Sequence, residues 1–178
     1  MTSYYKSNQA GRSMIEMLGV LAIIGVLSVG GISGYSKAMA KFKLTKQQDQ
    51  LSMVLMNIRT AYATSPSYAN LDTESAISYN IIPSDMKISD TSAKNAFGGD
   101  FKIGTAEDDT HFTITISNIG QEACMSLASS DWGTDGLVAF RVGSTETLSD
   151  DDKVSPGSIS EAFGKCENGG KYLQWEYY

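Results

Sequence analysis

The sequence predicts an α+β fold, in which one long N-terminal helix precedes a second half that forms a sheet. An apolar run over residues 17–32 is followed by a helical pattern over residues 36–64 that contains neither Gly nor Pro. After Pro66 the periodicity changes, and short segments alternate apolar and polar residues, which is typical of strands. With 178 residues, the chain suits one modest domain with attachments.

Charge is distributed unevenly along the chain. Residues 1–50 carry six Lys or Arg against Glu16 and Asp49, whereas the rest carries eight basic and eighteen acidic residues, for a net charge of -6. An acidic body repels phosphate backbones, so we expect the folded domain not to bind nucleic acid. A hydrophobic content of 42% with 19% charged residues indicates a folded protein and excludes a disordered one.

The apolar run is long enough to cross a membrane. Extended to Tyr35 it covers about nineteen uncharged residues, the length of a spanning helix. A cleavable secretory signal is the first alternative, because Lys6 and Arg12 precede the run. However, no small-x-small cleavage site ends it, and Glu16 stands at its edge, where an unpaired carboxylate in lipid would be costly.

The stretch Gly11-Arg12-Ser13-Met14-Ile15-Glu16-Met17-Leu18 resembles the class III signal of type IV pilins. The resemblance implies that a membrane prepilin peptidase cuts after Gly11 and methylates the new amine of Arg12. It also implies that Glu16, then the fifth residue, helps to dock an incoming subunit, because a neighbour's N-terminal ammonium can neutralise an anionic side chain in an apolar core. Arg12 departs from the family, which has Phe, Met or Leu at that place.

An uncleaved signal anchor is the alternative interpretation of this segment, with Glu16 reaching the membrane interface. Four lysines follow the run and outnumber Lys6 and Arg12 before it, so the positive-inside rule alone would place the body in the cytoplasm. We set that rule aside because of the cysteines described below.

The helix is predicted to continue as an amphipathic half. Its apolar stripe has helical spacing and consists of Leu44, Leu51, Leu55, Ile58 and Tyr62. Pro66 then ends it, since the residue before a proline is pushed out of helical geometry. We therefore predict a leader at residues 1–11, a membrane and assembly helix at 12–35, the amphipathic half at 36–65 and a globular head at 66–178.

Within the head, the pattern predicts a loop with a short helix over residues 71–88 and a strand entry over 95–103. The string Asn95-Ala96-Phe97-Gly98-Gly99 resembles the element that opens the sheet in type IVb pilins. Residues 111–117 alternate with Phe112, Ile114 and Ile116 inward, and a short helix begins near Gln121. Further strands are predicted at residues 137–142 and 171–178.

Cys124 and Cys166 are the only cysteines and lie 42 positions apart. That separation does not suit a metal knuckle, and His111 is the only other soft ligand. We interpret the pair as a disulfide, with two buried cytosolic thiols as the alternative. A disulfide implies the periplasm or beyond. In the pilin resemblance, residues 124–166 form the variable D-region.

Catalytic chemistry is not expected. A single histidine cannot supply a His-dependent triad or a multi-His metal site, and we expect His111 to lie on the surface. The carboxylates of residues 107–109 and 150–152, and Asp131 with Asp135, lack the spacing of a calcium loop, so we predict solvated loops. The sequence thus predicts no enzyme, catalytic residue, cofactor or metal.

Taken together, the resemblance implies the precursor of a type IVb-like major pilin, with its spine helix packed on an antiparallel sheet. It implies self-assembly into a helical homopolymer, with prepilin peptidase and an inner-membrane assembly machinery as partners. The precursor would lie in the bacterial inner membrane and the product in an extracellular pilus. The alternatives are a minor pilin, a type II secretion pseudopilin, or a signal-anchored periplasmic binding protein.

Overall fold

The computed structural model describes residues 14–106, 109–132, 136–155 and 158–178. The chain divides into two compact units, Met1–Met39 and Ala40–Tyr178. In its described part, the first unit is the N-terminal portion of helix α1, which runs over Met14–Ala61. The second unit contains the rest of α1 and every other described element.

Among the described residues, three short helices and six strands follow α1. The helices are α2 (Thr73–Ser78), α3 (Gln121–Ala128) and α4 (Ile159–Glu167), and a 3-10 turn spans Asp150–Asp152. The strands are β1 (Ala93–Lys94), β2 (Asp100–Ala106), β3 (His111–Ile116), β4 (Leu137–Gly143), β5 (Lys153–Val154) and β6 (Tyr172–Tyr177). They form one antiparallel sheet in the order β1-β2-β3-β6-β4-β5. The last strand therefore lies in the middle of the sheet.

The second-unit part of α1 packs on this sheet, as the sequence predicts. Its buried positions are Gln47, Gln50, Leu51, Val54 and Ile58. The predicted stripe is therefore correct for Leu51 and Ile58, whereas Leu44, Leu55 and Tyr62 are only partly buried against the core. The pattern missed the two glutamines because they are polar, yet the side-chain Oε1 of Gln47 accepts the Ala96 N–H at 2.9 Å.

Helix α1 also ends earlier than predicted. It stops at Ala61, and a turn occupies residues 62–64, where the Ser65 N–H donates to the Tyr62 carbonyl at 2.9 Å. Pro66 disfavours helical geometry at the residue before it, which limits how far the helix can extend. It does not fix the last helical residue, so the helix can end earlier. Tyr62 then contacts Tyr68, with ring centroids 5.4 Å apart.

The core is formed by the inward faces of the central strands. Phe112, Ile114 and Ile116 of β3 are fully buried, which confirms the predicted alternation. In β6 the same face carries Leu173, Trp175 and Tyr177, also fully buried. The Trp175 ring contacts Trp132 (5.1 Å between centroids, edge-on) and Phe140 (5.3 Å). These aromatic contacts connect the central strand to the region around α3 and β4.

A buried asparagine organises the connection between β1 and β2. The Asn95 amide donates to the carbonyls of Ser117 (2.7 Å) and Asp100 (3.2 Å), and its Oδ1 accepts the N–H groups of Phe97 and Gly99. Gly98 has φ +85° and so needs the freedom of glycine. A Cβ on Gly99 would overlap the Ser117 carbonyl oxygen. The predicted strand entry is confirmed, and its sequence string is explained by these contacts.

The remaining element predictions are confirmed for α2, α3, β4 and β6. The sequence did not predict α4, β1 or β5. The two strands have only two residues each, too few for a period to show, and α4 contains Gly164. Gly lowers helix propensity by about 1 kcal/mol relative to Ala, so local propensity does not indicate α4.

Candidate functional site

The first unit presents a long apolar surface. Most of its described large apolar side chains are 50–85% exposed, among them Ile15 (79%), Val26 (75%) and Val29 (71%). Of the described helices, α1 alone is long and apolar enough to cross a membrane, with a mean hydropathy of 2.2 over 18 residues and none of that window buried. Exposure of such a large apolar surface to water is unfavourable, so we expect lipid or protein to cover this surface.

Glu16 is the one charged residue in the apolar half of α1. It lies in the first turn of the helix, where the N-terminal end of the helix dipole favours a negative charge. The predicted cleavage residues, Gly11 and Arg12, lie outside the described residues. The whole predicted leader, residues 1–11, likewise lies outside the described residues.

Cys124 and Cys166 are joined by a disulfide bond, and both are buried. The bond links α3 to α4, so it closes a loop that contains β4, the 3-10 turn and β5. In the loop-entropy view, a closure of this length stabilises the fold by about 4 kcal/mol. The interpretation as free cytosolic thiols therefore has no support in this structure.

An open groove lies beside this disulfide-closed region, and we call it the edge groove. Its volume is about 700 Å³, and it is bordered by β5 at the edge of the sheet. Of the lining residues that the structure describes, most are apolar, chiefly Trp132, Leu137, Phe140, Val154 and Ile159. The polar lining includes Ser129, Ser130, Asp131, Lys153, Ser155 and Ser158. Ser130 also accepts a hydrogen bond from Gln48 of α1 at 2.8 Å.

The opposite face of the sheet carries a polar cluster that the sequence did not indicate. Glu176 of β6 is only 3% exposed and accepts from Arg141 Nη1 at 2.6 Å, while His111 Nδ1 lies 3.0 Å away. Arg141 also donates to Gln174 (3.1 Å) and reaches Asp150 at 3.3 Å. His111, which we expected on the surface, is partly buried, with 21% of its side chain exposed. The sequence could not predict this cluster, because its members lie far apart in the chain, on three strands and a turn.

The ionisation of Glu176 follows from these contacts. Burial by itself raises the pKa of a carboxyl, but the hydrogen bond and the charge of Arg141, helped by His111, hold the pKa of Glu176 below its ordinary value. The charged form is thus the one that the fold stabilises. On the core side, burial raises the pKa of Tyr177 to about 12, although the Arg59 guanidinium lies 5.6 Å from its ring.

The acidic clusters provide no metal site in the described residues. Among residues 14–106, 109–132, 136–155 and 158–178, no group of three or more His, Cys, Asp or Glu side chains could hold a metal ion. Asp150–Asp152 forms the 3-10 turn instead of an open loop, and Asp152 caps it by accepting the Ser149 N–H at 2.9 Å. Glu107, Asp108 and Asp135 lie outside the described residues.

The chain is similar to known pilus proteins in sequence and in fold. The family described as PilS N terminal matches residues 41–175 of this chain. The major structural subunit of bundle-forming pilus of Escherichia coli O127:H6 is 30% identical over 134 residues, which cover 72% of this chain and 68% of the relative. This chain belongs to the PilS N-terminal family of type IVb-like pilins.

Other relatives and solved structures agree with this pilin assignment. The toxin coregulated pilin of Vibrio cholerae is 26% identical over 154 residues, covering 82% of the present pilin and 68% of the relative. The fold resembles the type IVb pilin from Salmonella typhi (TM-score 0.50, 19% identity, 78% and 98% of the two chains). It also resembles a type IV pilin from Vibrio cholerae El Tor (TM-score 0.53, 16% identity, 76% and 99%). The family consists of structural subunits, so the expectation that this pilin is not an enzyme is confirmed.

Proposed function

We propose that this pilin is a structural subunit of an extracellular type IVb-like pilus and polymerises through the apolar half of α1. The observation that carries the proposal is the exposed apolar surface of residues 14–35 on a chain whose second unit has its own closed core. Burial of one large apolar side chain contributes about 1.5–3 kcal/mol relative to exposure in water, so a row of them stabilises a filament strongly against separation into subunits once these have left the lipid.

Before assembly, the same surface holds the precursor in the inner membrane. Residues 17–35 match the thickness of the hydrocarbon core as a helix. The disulfide between Cys124 and Cys166 supports a second unit on the oxidising side of that membrane. Prepilin peptidase then cuts between Gly11 and Arg12, and the assembly machinery extracts the subunit from the lipid.

Glu16 gives the assembly step its register. A single carboxylate in an apolar helix is costly without a partner, and the new ammonium at Arg12 of a neighbouring copy supplies one. The pair forms only when an incoming subunit reaches the correct axial position. The carboxylate of Glu16 therefore favours only those arrangements in which the incoming subunit is correctly placed along the filament axis.

Two measurements on one preparation test this function. Filaments sheared from cells should contain the chain as an abundant component, and mass spectrometry should find a mature N-terminus at Arg12, with or without a methyl group. A chain that stays in the membrane fraction with Met1 intact would contradict the proposal and favour a signal-anchored protein. Low abundance in filaments that are otherwise present would favour a minor pilin or a pseudopilin instead.

A further inference from the structure

A cluster of lysines directly follows the apolar run of α1. Lys37, Lys41 and Lys43 are exposed, and none of them takes part in an ion pair with any residue that the structure describes. The sequence contains no Asp or Glu over residues 17–48, so no neighbouring acid along the helix offsets these charges. We call residues 37–43 the basic collar.

The fold of the subunit does not use the collar. The next lysine along α1, Lys46, pairs with Asp85 at 3.0 Å, and the neighbouring Gln47 is fully buried. By contrast, the Phe42 side chain in the collar is 62% exposed and lies outside the hydrophobic core. An aromatic ring among exposed lysines is the combination that amphipathic segments present to a membrane surface.

The length of the apolar run places the collar at such a surface. When the spanning helix ends at Tyr35, a rise of about 1.5 Å per residue places residues 37–43 about 3–12 Å beyond the hydrocarbon. The headgroup layer on each side is about 5–8 Å thick. Helical Cα–Cβ bonds tilt toward the N-terminus, so side chains that follow the span lean back toward the lipid. The long lysine side chains therefore reach the layer in which the phosphates lie.

Anionic phospholipid is the partner that this chemistry fits. Clustered lysines next to a span are attracted to negatively charged headgroups, and an aromatic ring beside them is favoured between the headgroups and the acyl chains. The rest of the chain does not share this attraction, because residues 51–178 carry eighteen acidic and eight basic residues. An anionic surface therefore attracts the collar and repels the body.

The side of the membrane on which the collar lies is informative. Basic residues next to a span favour the cytoplasmic side, whereas the Cys124–Cys166 disulfide supports a second unit on the oxidising side. The collar lysines therefore oppose the orientation of the precursor instead of setting it. Their position calls for a role other than topology, and lipid binding supplies one.

We propose that the basic collar of the membrane-inserted subunit binds anionic phospholipid headgroups at the outer surface of the inner membrane. Lys41 and Lys43 contact the phosphates, and Phe42 lies at the edge of the acyl chains. The inference rests on the proposed function, because it concerns the precursor before assembly. The contact fixes the depth of the subunit in the membrane, and the assembly machinery has to break it during extraction.

The depth of the collar in lipid discs of defined composition tests the contact. In the Ala40→Cys variant of the full chain, a nitroxide is attached to the new thiol, because Cys124 and Cys166 are joined to each other. The discs contain phosphatidylcholine alone or with about one-third phosphatidylglycerol, and collisions of the nitroxide with an uncharged, water-soluble nickel chelate are measured. We expect at least about twofold fewer collisions in the anionic discs, because the collar is drawn into the headgroup layer.

Lysine variants with the same label show which charges are responsible. Lys41→Gln/Lys43→Gln should remove the difference between the two discs, whereas the control Lys94→Gln/Lys171→Gln, at exposed lysines of the second unit, should retain it. Salt at about 0.5 M should also reduce the difference, because it screens exposed charges. An intact disulfide and an unchanged melting temperature verify that each variant is folded. A difference that survives in the collar variant, or that disappears equally in the control, would overturn the inference.

The result is independent of filament formation. Equal collision rates for the unaltered collar in the two discs would show that it does not bind anionic lipid, and the inference would be wrong, while filaments of the unaltered chain would still support the proposed function. Lipid binding by a chain that forms no filaments in cells would instead overturn the proposed function and leave the collar as part of a permanent membrane anchor.

Discussion

At the scale of single residues, the charge of Glu176 is stabilised by its contacts with Arg141 and His111. Its folded pKa lies below the ordinary 4.5, so its charge contributes stability above that pH, and the contribution is lost as the pH falls through the folded pKa. Glu176→Gln should lower the free energy of unfolding at neutral pH by about 2 kcal/mol and flatten the acid limb of the stability curve. Urea unfolding of the detergent-solubilised subunit, followed by tryptophan fluorescence, measures both. Glu122→Gln, at an exposed position of α3, is the control and should leave the curve unchanged.

Gly99 is a second residue whose identity is set by one contact. Gly99→Ala places a methyl group on the Ser117 carbonyl oxygen, and overpacking of this kind costs about 3 kcal/mol. Gly120→Ala is the matched control, because a Cβ there meets nothing within 4 Å and the backbone φ is -73°. Thermal unfolding of the two variants should differ clearly. Equal melting temperatures would show that the β1–β2 connection shifts without cost.

At the scale of elements, the disulfide holds α3 and α4 together around the edge groove. The variant Cys124→Ser/Cys166→Ser should lose about 4 kcal/mol of stability, because the unfolded chain regains the entropy of the open loop. Protease sensitivity should rise first between residues 124 and 166. In the unaltered chain, alkylation under native conditions should modify no thiol, and two reactive thiols would contradict the bond.

The glycines of α1 suggest a change of that helix on assembly. Gly25, Gly30, Gly31 and Gly34 each cost about 1 kcal/mol in a helix interior relative to Ala, and a Cβ on any of them meets nothing within 4 Å. Lipid keeps the segment helical, because unpaired backbone groups are prohibitive there. We predict that the helix loosens between Gly25 and Gly34 within the filament, where neighbouring subunits can satisfy its backbone. A filament reconstruction with unbroken helical density over residues 26–35 would instead assign these glycines to close helix packing.

At the scale of the whole molecule, assembly depends on one charge outside the second unit. Glu16→Ala should leave processing, membrane insertion and the disulfide intact while removing filaments, because the carboxylate acts only when a neighbour's ammonium reaches it. Electron microscopy of shear fractions, with blots of the membrane fraction, measures the two effects. Glu122→Ala, at an exposed carboxylate of the head, is the control and should assemble normally. Normal filament yield from Glu16→Ala would make Glu16 an interfacial bystander.

The sequence by itself determined the features whose signals are local. Three features could be predicted from a few neighbouring residues: the apolar run of α1, the alternation in β3 and the glycine pair that follows Asn95 within the connection to β2. Periodicity and backbone freedom are local properties, so a short stretch of sequence is enough to indicate them. The motif around Gly11 and Glu16 likewise pointed to the family without any fold. Only the tertiary structure decided the rest, since it depends on residues far apart in the chain. Gln47 is buried where its Oε1 accepts the Ala96 N–H, and Glu176 is buried where Arg141 and His111 contact it across two strand pairs. The edge groove exists because the disulfide brings α3 and α4 to the side of β4, and no local pattern encodes that meeting.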